Sequence, residues 1–255
     1  MKKIVLLIMI LFLILPVYIE AKQINVTNEN TTYSLRAGGG SSGGGGSSGG
    51  GGGSSSGHHS HSSGRNNPIS NLISFILVII AIYCSSIVFY YKVLRSAINS
   101  KRYLRILSKK EVSWKYKNIE KQAIEAYYSI QESWTNMDMT PSRKYMSEDI
   151  YNSFIIKLNF METSDKRNIL KRIKLKDIKP VSIYDDENDD KDYVWFYIKG
   201  SMIDYIINTK TNEVIEGQTY PTNFIEFWKF TRKGKDRWVL TKIKQKEEIN
   251  TIQFQ

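Results

Sequence analysis

The hydrophobic pattern changes its period along the chain. Residues 4–15 are twelve apolar positions in a row, preceded by Lys2 and Lys3. Residues 72–91, LISFILVIIAIYCSSIVFYY, are twenty positions without a charge. At about 1.5 Å per residue, a helix of that length covers roughly 30 Å, the hydrocarbon thickness of a bilayer. Its polar members are Ser74, Ser85 and Ser86, whose hydroxyls can bond back to the helix's own carbonyls. Asn66-Asn67-Pro68 punctuates the entrance, and Tyr90-Tyr91-Lys92 gives the aromatic and cationic exit of a membrane span. The alternative, a buried core helix, seldom runs this long without a charge. Residues 69–91 are therefore read as a transmembrane helix.

Beyond residue 108 the period becomes that of an amphipathic helix. Ser108 and Glu111 have capping-box spacing and predict a helix start. Ile119, Ala123, Ala126 or Tyr127, Ile130 and Trp134 recur at steps of three and four, one buried stripe. Asn136-Met137-Asp138 ends the pattern, and Thr140-Pro141 opens a short turn. Ser147-Glu148-Asp149 starts another helix, with Ile150, Phe154, Leu158 and Met161 on one face and acids where the helix dipole favours them.

From Arg172 the alternation is that of strands. Ile173 and Leu175 alternate with lysines, the phase slips near residues 177–180, and Val181 and Ile183 resume it. Pro180 predicts an edge strand or a bulge. Residues 193–207 read as one long strand with a bend at Gly200, residues 208–212 as a turn, and 224–230 and 238–243 as two further strands around a polar turn with Gly234. Helices followed by about four antiparallel strands give an α+β fold.

Charge divides the chain. Its total is +11. Residues 92–117 hold nine basic side chains (Lys92, Arg95, Lys101, Arg102, Arg105, Lys109, Lys110, Lys115 and Lys117) against Glu111 alone. From Asn118 onward, 22 basic and 22 acidic residues cancel. The high pI therefore describes a juxtamembrane collar, which by the positive-inside bias places the C-terminal side in the cytoplasm and suits anionic lipid headgroups. A neutral domain beside a membrane argues against nucleic acid as the partner.

Lys2-Lys3, the apolar run, Pro16 and Ala21 have the layout of a secretory signal peptide cut after residue 21. Left uncut, the segment would be a short first span; either way the large domain is cytoplasmic. Residues 38–64 are almost wholly Gly and Ser with His58, His59 and His61, a flexible exterior linker that cannot bury enough apolar surface to fold. A metal site on those histidines is the sharper reading, but no carboxylate or thiolate joins them. Asn25 and Asn30 begin glycosylation sequons. Cys84, the only cysteine, lies inside the apolar segment and reads as a packing residue. The acidic run 185–192 lacks the calcium-loop spacing and reads as a solvated hairpin tip.

No catalytic constellation is found in residues 112–255: the histidines and the cysteine lie elsewhere, and no glycine-rich phosphate loop or metal-ligand motif occurs. Asp204 beside Tyr205 on the long strand is the one pair nominated for a carboxylate base and an oxyanion donor, and adjacent strand residues face opposite ways. The chain is read as a non-enzyme without a cofactor. Tyr127, Trp134, Trp228 and Trp238 are candidate core or pocket residues. Lys92, Arg95, Lys101, Arg102, Arg105, Lys109 and Lys110 are the candidate membrane-surface residues.

The runs Tyr127-Tyr-Ser-Ile-Gln-Glu-Ser-Trp134, Tyr151-Asn-Ser153, Phe224-Ile-Glu-Phe-Trp-Lys-Phe-Thr-Arg232 and Trp238-Val-Leu240 resemble the Tim44-like domain family over about residues 112–248. That resemblance implies a cystatin- or NTF2-like α+β fold, a helix lying in a curved antiparallel sheet with a pocket between them. It also implies membrane contact. The long N-terminal region with which the family's mitochondrial import member engages its channel and Hsp70 has no counterpart here, so an import role does not carry over. The expected organisation is a signal peptide (1–21), an exterior linker segment (22–68), a span (69–91), a basic segment (92–111) and a Tim44-like domain (112–255). The expected function is a membrane-anchored scaffold or tether for an unidentified protein partner. A lipid- or acyl-chain-binding domain is the alternative, and an enzyme of NTF2-like type a distant third.

Overall fold

The computed structural model describes residues 68–187 and 191–254. The signal peptide, the sequons and the Gly/Ser/His tract read above lie outside the described residues, as does the tip of the acidic loop.

A single unbroken helix, α1, runs Pro68–Lys110, 43 residues and about 65 Å at the ordinary rise. Among the described residues no helix is long and apolar enough to cross a membrane. Nine of the twenty side chains of residues 72–91 fall outside that description. The predicted helix start at Ser108 is corrected: those residues are the last turn of α1, with Lys109 and Lys110 at the end where the helix dipole favours cations. A 3₁₀ turn, Val112–Trp114, separates it from α2, Tyr116–Thr135.

The helix α2 buries Ile119, Ala123, Ala126, Tyr127, Ile130 and Trp134, the predicted stripe. Its last turn closes on Met137 at φ 60°, with the Asp138 amide donating to the Ser133 carbonyl. A 3₁₀ segment, Thr140–Tyr145, carries Pro141 in its first turn. In α3, Glu148–Thr163, the Ser147 hydroxyl caps the first turn and Phe154, Leu158 and Met161 are buried.

Four strands follow: β1 Lys166–Tyr184, β2 Tyr193–Asn208, β3 Val214–Lys233 and β4 Arg237–Gln245. They form one antiparallel sheet in sequential order. Two strands begin earlier than predicted. In β1, residues 166–171 pair with 203–208, and Arg172 at φ 52° then sits in a register shift that breaks the alternation. In β3, the half before Phe224 contains Gly217 and Pro221, which read as breakers. It nevertheless pairs with β2, while β4 pairs only with residues 226–233. Pro221 therefore faces an edge that needs no N–H. Pro180 lies at a register shift on the other edge strand, as expected. Gly200 stays in register with Phe224; its small size admits the Phe224 ring, which would lie 2.3 Å from a Cβ placed there.

The sheet is buried on both faces. Val194, Phe196, Ile198, Trp228 and Phe230 join α2 and α3 in the main core, whereas Trp195, Tyr197 and Phe227 form a second cluster with Val181 and Ile252. Helix α1 takes part in both. Val93 and Phe89 pack in the second cluster, Leu104 and Leu107 in the first. It thus crosses the sheet beside β1, covering an edge that would otherwise offer unpaired backbone. The basic segment is a wall of the domain as well as a connection to it.

Candidate functional site

The four aromatic candidates are core residues. Tyr127 and Trp228 are 0 % exposed, Trp134 and Trp238 1 %. Tyr127 and Trp228 place their ring centroids 5.6 Å apart, Trp134 meets Phe154 at 5.6 Å, and Trp238 meets Trp114 at 5.1 Å. The Tyr127 hydroxyl would lie 2.8 Å from a Cβ on Gly200, so the space between α2 and the sheet is occupied by side chains here. The three surface grooves described below are lined by other residues.

Two hydrogen-bonded polar clusters enter this core. The Trp134 indole donates to Asn168 Oδ1 at 3.0 Å, and the Asn168 amide donates to Asp204 at 2.8 Å and to the Tyr205 carbonyl. Asp204 is thus the anchor of a buried asparagine. The Trp228 indole donates to Glu226 at 2.9 Å, and Gln245 reaches the other oxygen of that fully buried carboxylate. Glu226 escaped the sequence reading because it sits in an aromatic strand with nothing nearby in sequence to mark it.

A second polar node ties elements together. The Arg232 side chain, 1 % exposed, donates to Glu111 Oε2 at 2.8 Å and to Asp192 at 3.2 Å, and to the carbonyls of Gly234 and Lys235. Asp192 in turn accepts from the Asp186 amide. The node joins the end of α1 to the β3–β4 turn and to the acidic loop. Its members are 40 and 121 residues apart in sequence, so no motif announced it.

All seven candidate surface cations, Lys92, Arg95, Lys101, Arg102, Arg105, Lys109 and Lys110, are exposed along α1. Because α1 is one helix, they are strung out along its axis over about 27 Å and do not gather in one ring. Between the end of α1 and the start of α2 lies a groove of about 380 Å³ lined by Lys101, Leu104, Arg105, Ser108, Lys115, Tyr116, Lys117 and Asn118. Burial, together with a hydrogen bond to Glu120, pushes the Tyr116 phenol above its ordinary range. A second groove, about 440 Å³, lies among Pro141, Arg143, Glu148 and Arg237. A third, about 230 Å³, lies beside Tyr90, Leu94, Lys179 and Tyr197.

On the second face of the sheet, lysines cover aromatic rings: Lys229 over Tyr193 at 3.9 Å, Lys92 over Phe254 at 4.7 Å and Lys244 over Trp195 at 5.4 Å. Burial and the neighbouring Lys242 hold the Lys229 and Lys244 ammoniums below the ordinary lysine range. Among the described residues no group of three or more metal-ligating side chains converges.

Helices on one four-stranded antiparallel sheet, with a filled aromatic core, define an α+β domain. The chain belongs to the Tim44-like domain family, whose model matches residues 100–245, more than half of its length. The match begins inside α1. No curated protein sequence matches the chain. Among solved structures, the intermembrane space region of the chloroplast protein ARC6 aligns over 49 % of this chain and 94 % of its own, at 8 % identity and a TM-score of 0.33.

Proposed function

We propose that this chain is a membrane-anchored, non-catalytic scaffold whose Tim44-like domain presents a protein-binding surface on the cytoplasmic side. The observation that carries the reading is the continuity of α1. Its first half is the uncharged stretch 72–91, matched in length to a bilayer, and its second half is built into the domain through Val93, Ala97, Leu104 and Leu107, each 3 % exposed or less. Residues 72–91 span the membrane up to the turn of Phe89 and Tyr90, which already packs on the domain, and the same helix continues into the fold as a rigid stalk. A flexible tether would let the domain tumble, whereas a stalk fixes its distance and orientation relative to the bilayer. The filled space around Tyr127 and Trp228 favours a scaffold over an acyl-chain carrier.

Two measurements test this. Alkaline phosphatase and a fluorescent protein are fused in turn after Gln255. The arrangement requires a bright fluorophore and low phosphatase activity, and the reverse result removes the cytoplasmic assignment. Photo-crosslinkers placed at exposed positions of the domain in intact membranes should capture a discrete protein at a subset of positions. Uniform absence of crosslinks over all faces would remove the scaffold role.

A further inference from the structure

We propose that the groove between the end of α1 and the start of α2 is a docking site for an acidic segment of a partner protein. The inference rests on the scaffold reading above and names the chemistry of the partner.

Four of the eight lining residues, Lys101, Arg105, Lys115 and Lys117, are cationic, and none is acidic. All four are exposed. None makes an ion pair within 4.0 Å among the described residues. Of the carboxylates closest in sequence, Glu111 holds Arg232, and Glu120 accepts from the hydroxyl of Tyr116 at the floor of the groove. Four cations against the one adjacent carboxylate leave the groove net positive, in a domain that is otherwise neutral from Asn118 on. The β3–β4 turn adds cations beside this groove, next to Asp236 and to the acidic loop that Arg232 holds through Asp192. Arg232 ties that turn to Glu111, and Gln122 of α2 donates to the Asp236 carbonyl, which brings the exposed Lys233, Lys235 and Arg237 to the same end of the domain.

The shape and place of the groove select among anions. Leu104 and the Tyr116 ring supply an apolar floor, and Lys101 lies 4.7 Å above that ring. An apolar floor rimmed by cations suits a peptide that mixes carboxylates with aliphatic side chains. Three of the four cations are lysines, point charges without the fork that grips a phosphate in two places. A nucleic acid is disfavoured by the neutral balance of the chain from Asn118 on. A lipid headgroup is out of reach of an upright stalk: Lys101 lies ten residues past Tyr91 and Ser108 seventeen, about 15 and 25 Å along the axis, beyond a Debye length of about 8 Å. Charged docking of this kind also steers encounter, so it accelerates capture as well as selecting the partner.

The test uses the full chain in nanodiscs of neutral lipid and fluorescence anisotropy of a labelled peptide, Glu-Leu-Glu-Glu-Leu-Glu, with its glutamine counterpart as control. The wild-type chain should bind the glutamate peptide and not the glutamine one, and more weakly as salt rises. Lys101→Glu with Arg105→Glu should lower affinity at least about tenfold, as should Lys115→Glu with Lys117→Glu, while Lys171→Glu with Lys174→Glu on β1 changes it less than about twofold. Thermal melts of each variant establish that it is folded. Equal binding of both peptides, or equal loss in the β1 control, overturns the proposal. So does full displacement by inorganic phosphate at matched ionic strength, which would make the groove a small-oxyanion site. A groove variant that loses anionic vesicles but keeps the peptide assigns the groove to lipid and overturns it as well. The crosslinking above does not depend on this groove, so a negative result here with crosslinks retained removes the groove and leaves the scaffold.

Discussion

At the scale of single residues, burial decides what each side chain does. Trp228 is 0 % exposed, contacts Tyr127 and Phe230, and is a donor to the buried Glu226. Trp228→Ala should cost about 3–5 kcal/mol in a urea melt, the usual penalty for truncating a large buried aromatic. A change below about 1 kcal/mol would mean that the ring does not pack as described. Lys157 is the reverse case. Desolvation on α3 holds its ammonium below the ordinary lysine range. With the folded pKa depressed, the burial penalty is full below that value and disappears above the unfolded one, near pH 10. The unfolded chain binds more protons between the two, so this residue's contribution makes stability rise with pH across that window. Lys157→Met should therefore raise the melting temperature at pH 7, by a margin that shrinks toward pH 10. Comparing the two proteins at each pH isolates Lys157 from the tyrosines. The aromatic candidates were legible in sequence because large rings at helical and strand spacing are mostly core. Glu226 and Arg232 were not, because their partners come from other elements.

At the scale of elements, the stripe of α2, the Ser147 cap of α3 and the long β2 were written locally, in periods and caps. The early parts of β1 and β3 were not. Arg172 adopts positive φ at a register shift, Gly217 adopts it while paired with Tyr205, and Pro221 sits where no β4 partner exists, so each breaks the alternation while the strand continues through ladder bonds to β2. Charge concealed the end of α1. A basic run next to an apolar one reads as a collar, yet its buried members, Val93, Ala97, Leu104 and Leu107, fall at helical steps and belong to the domain. This has a measurable consequence. A fragment from residue 112 lacks that helix, exposing Trp114 and one edge of β1, and should be aggregation-prone or melt without cooperativity. A fragment from residue 92 keeps it and should melt cooperatively. Equal cooperativity in the two fragments would show that α1 contributes nothing to the domain.

At the scale of the whole molecule, the question is how the proposed stalk meets the bilayer. Two arrangements use the same basic residues differently. In a surface clamp, α1 bends at the membrane and lays Lys92, Arg95, Lys101, Arg102, Arg105, Lys109 and Lys110 against anionic headgroups. In an upright stalk, only Lys92 and Arg95 lie within about 8 Å of the plane through Tyr91, and Lys109 and Lys110 stand about 27 Å away. All seven still count toward orientation, since positive charge acts over about 15–20 residues from the end of a span. A bend needs a cause, such as proline or a glycine pair. Residues 92–110 contain neither, and the Arg232–Glu111 node fixes the far end of α1 to the sheet. We therefore expect the upright arrangement. With Cys84 replaced by serine, a fluorophore on a cysteine at position 92 should be strongly quenched by spin-labelled headgroups in anionic nanodiscs. The same fluorophore at position 109 should be quenched weakly, and equally so in neutral nanodiscs. Strong quenching at both positions that fades at high salt would instead establish the clamp. The groove beside Lys101 would then face lipid, and the stalk would have to give way to a hinge near Tyr91.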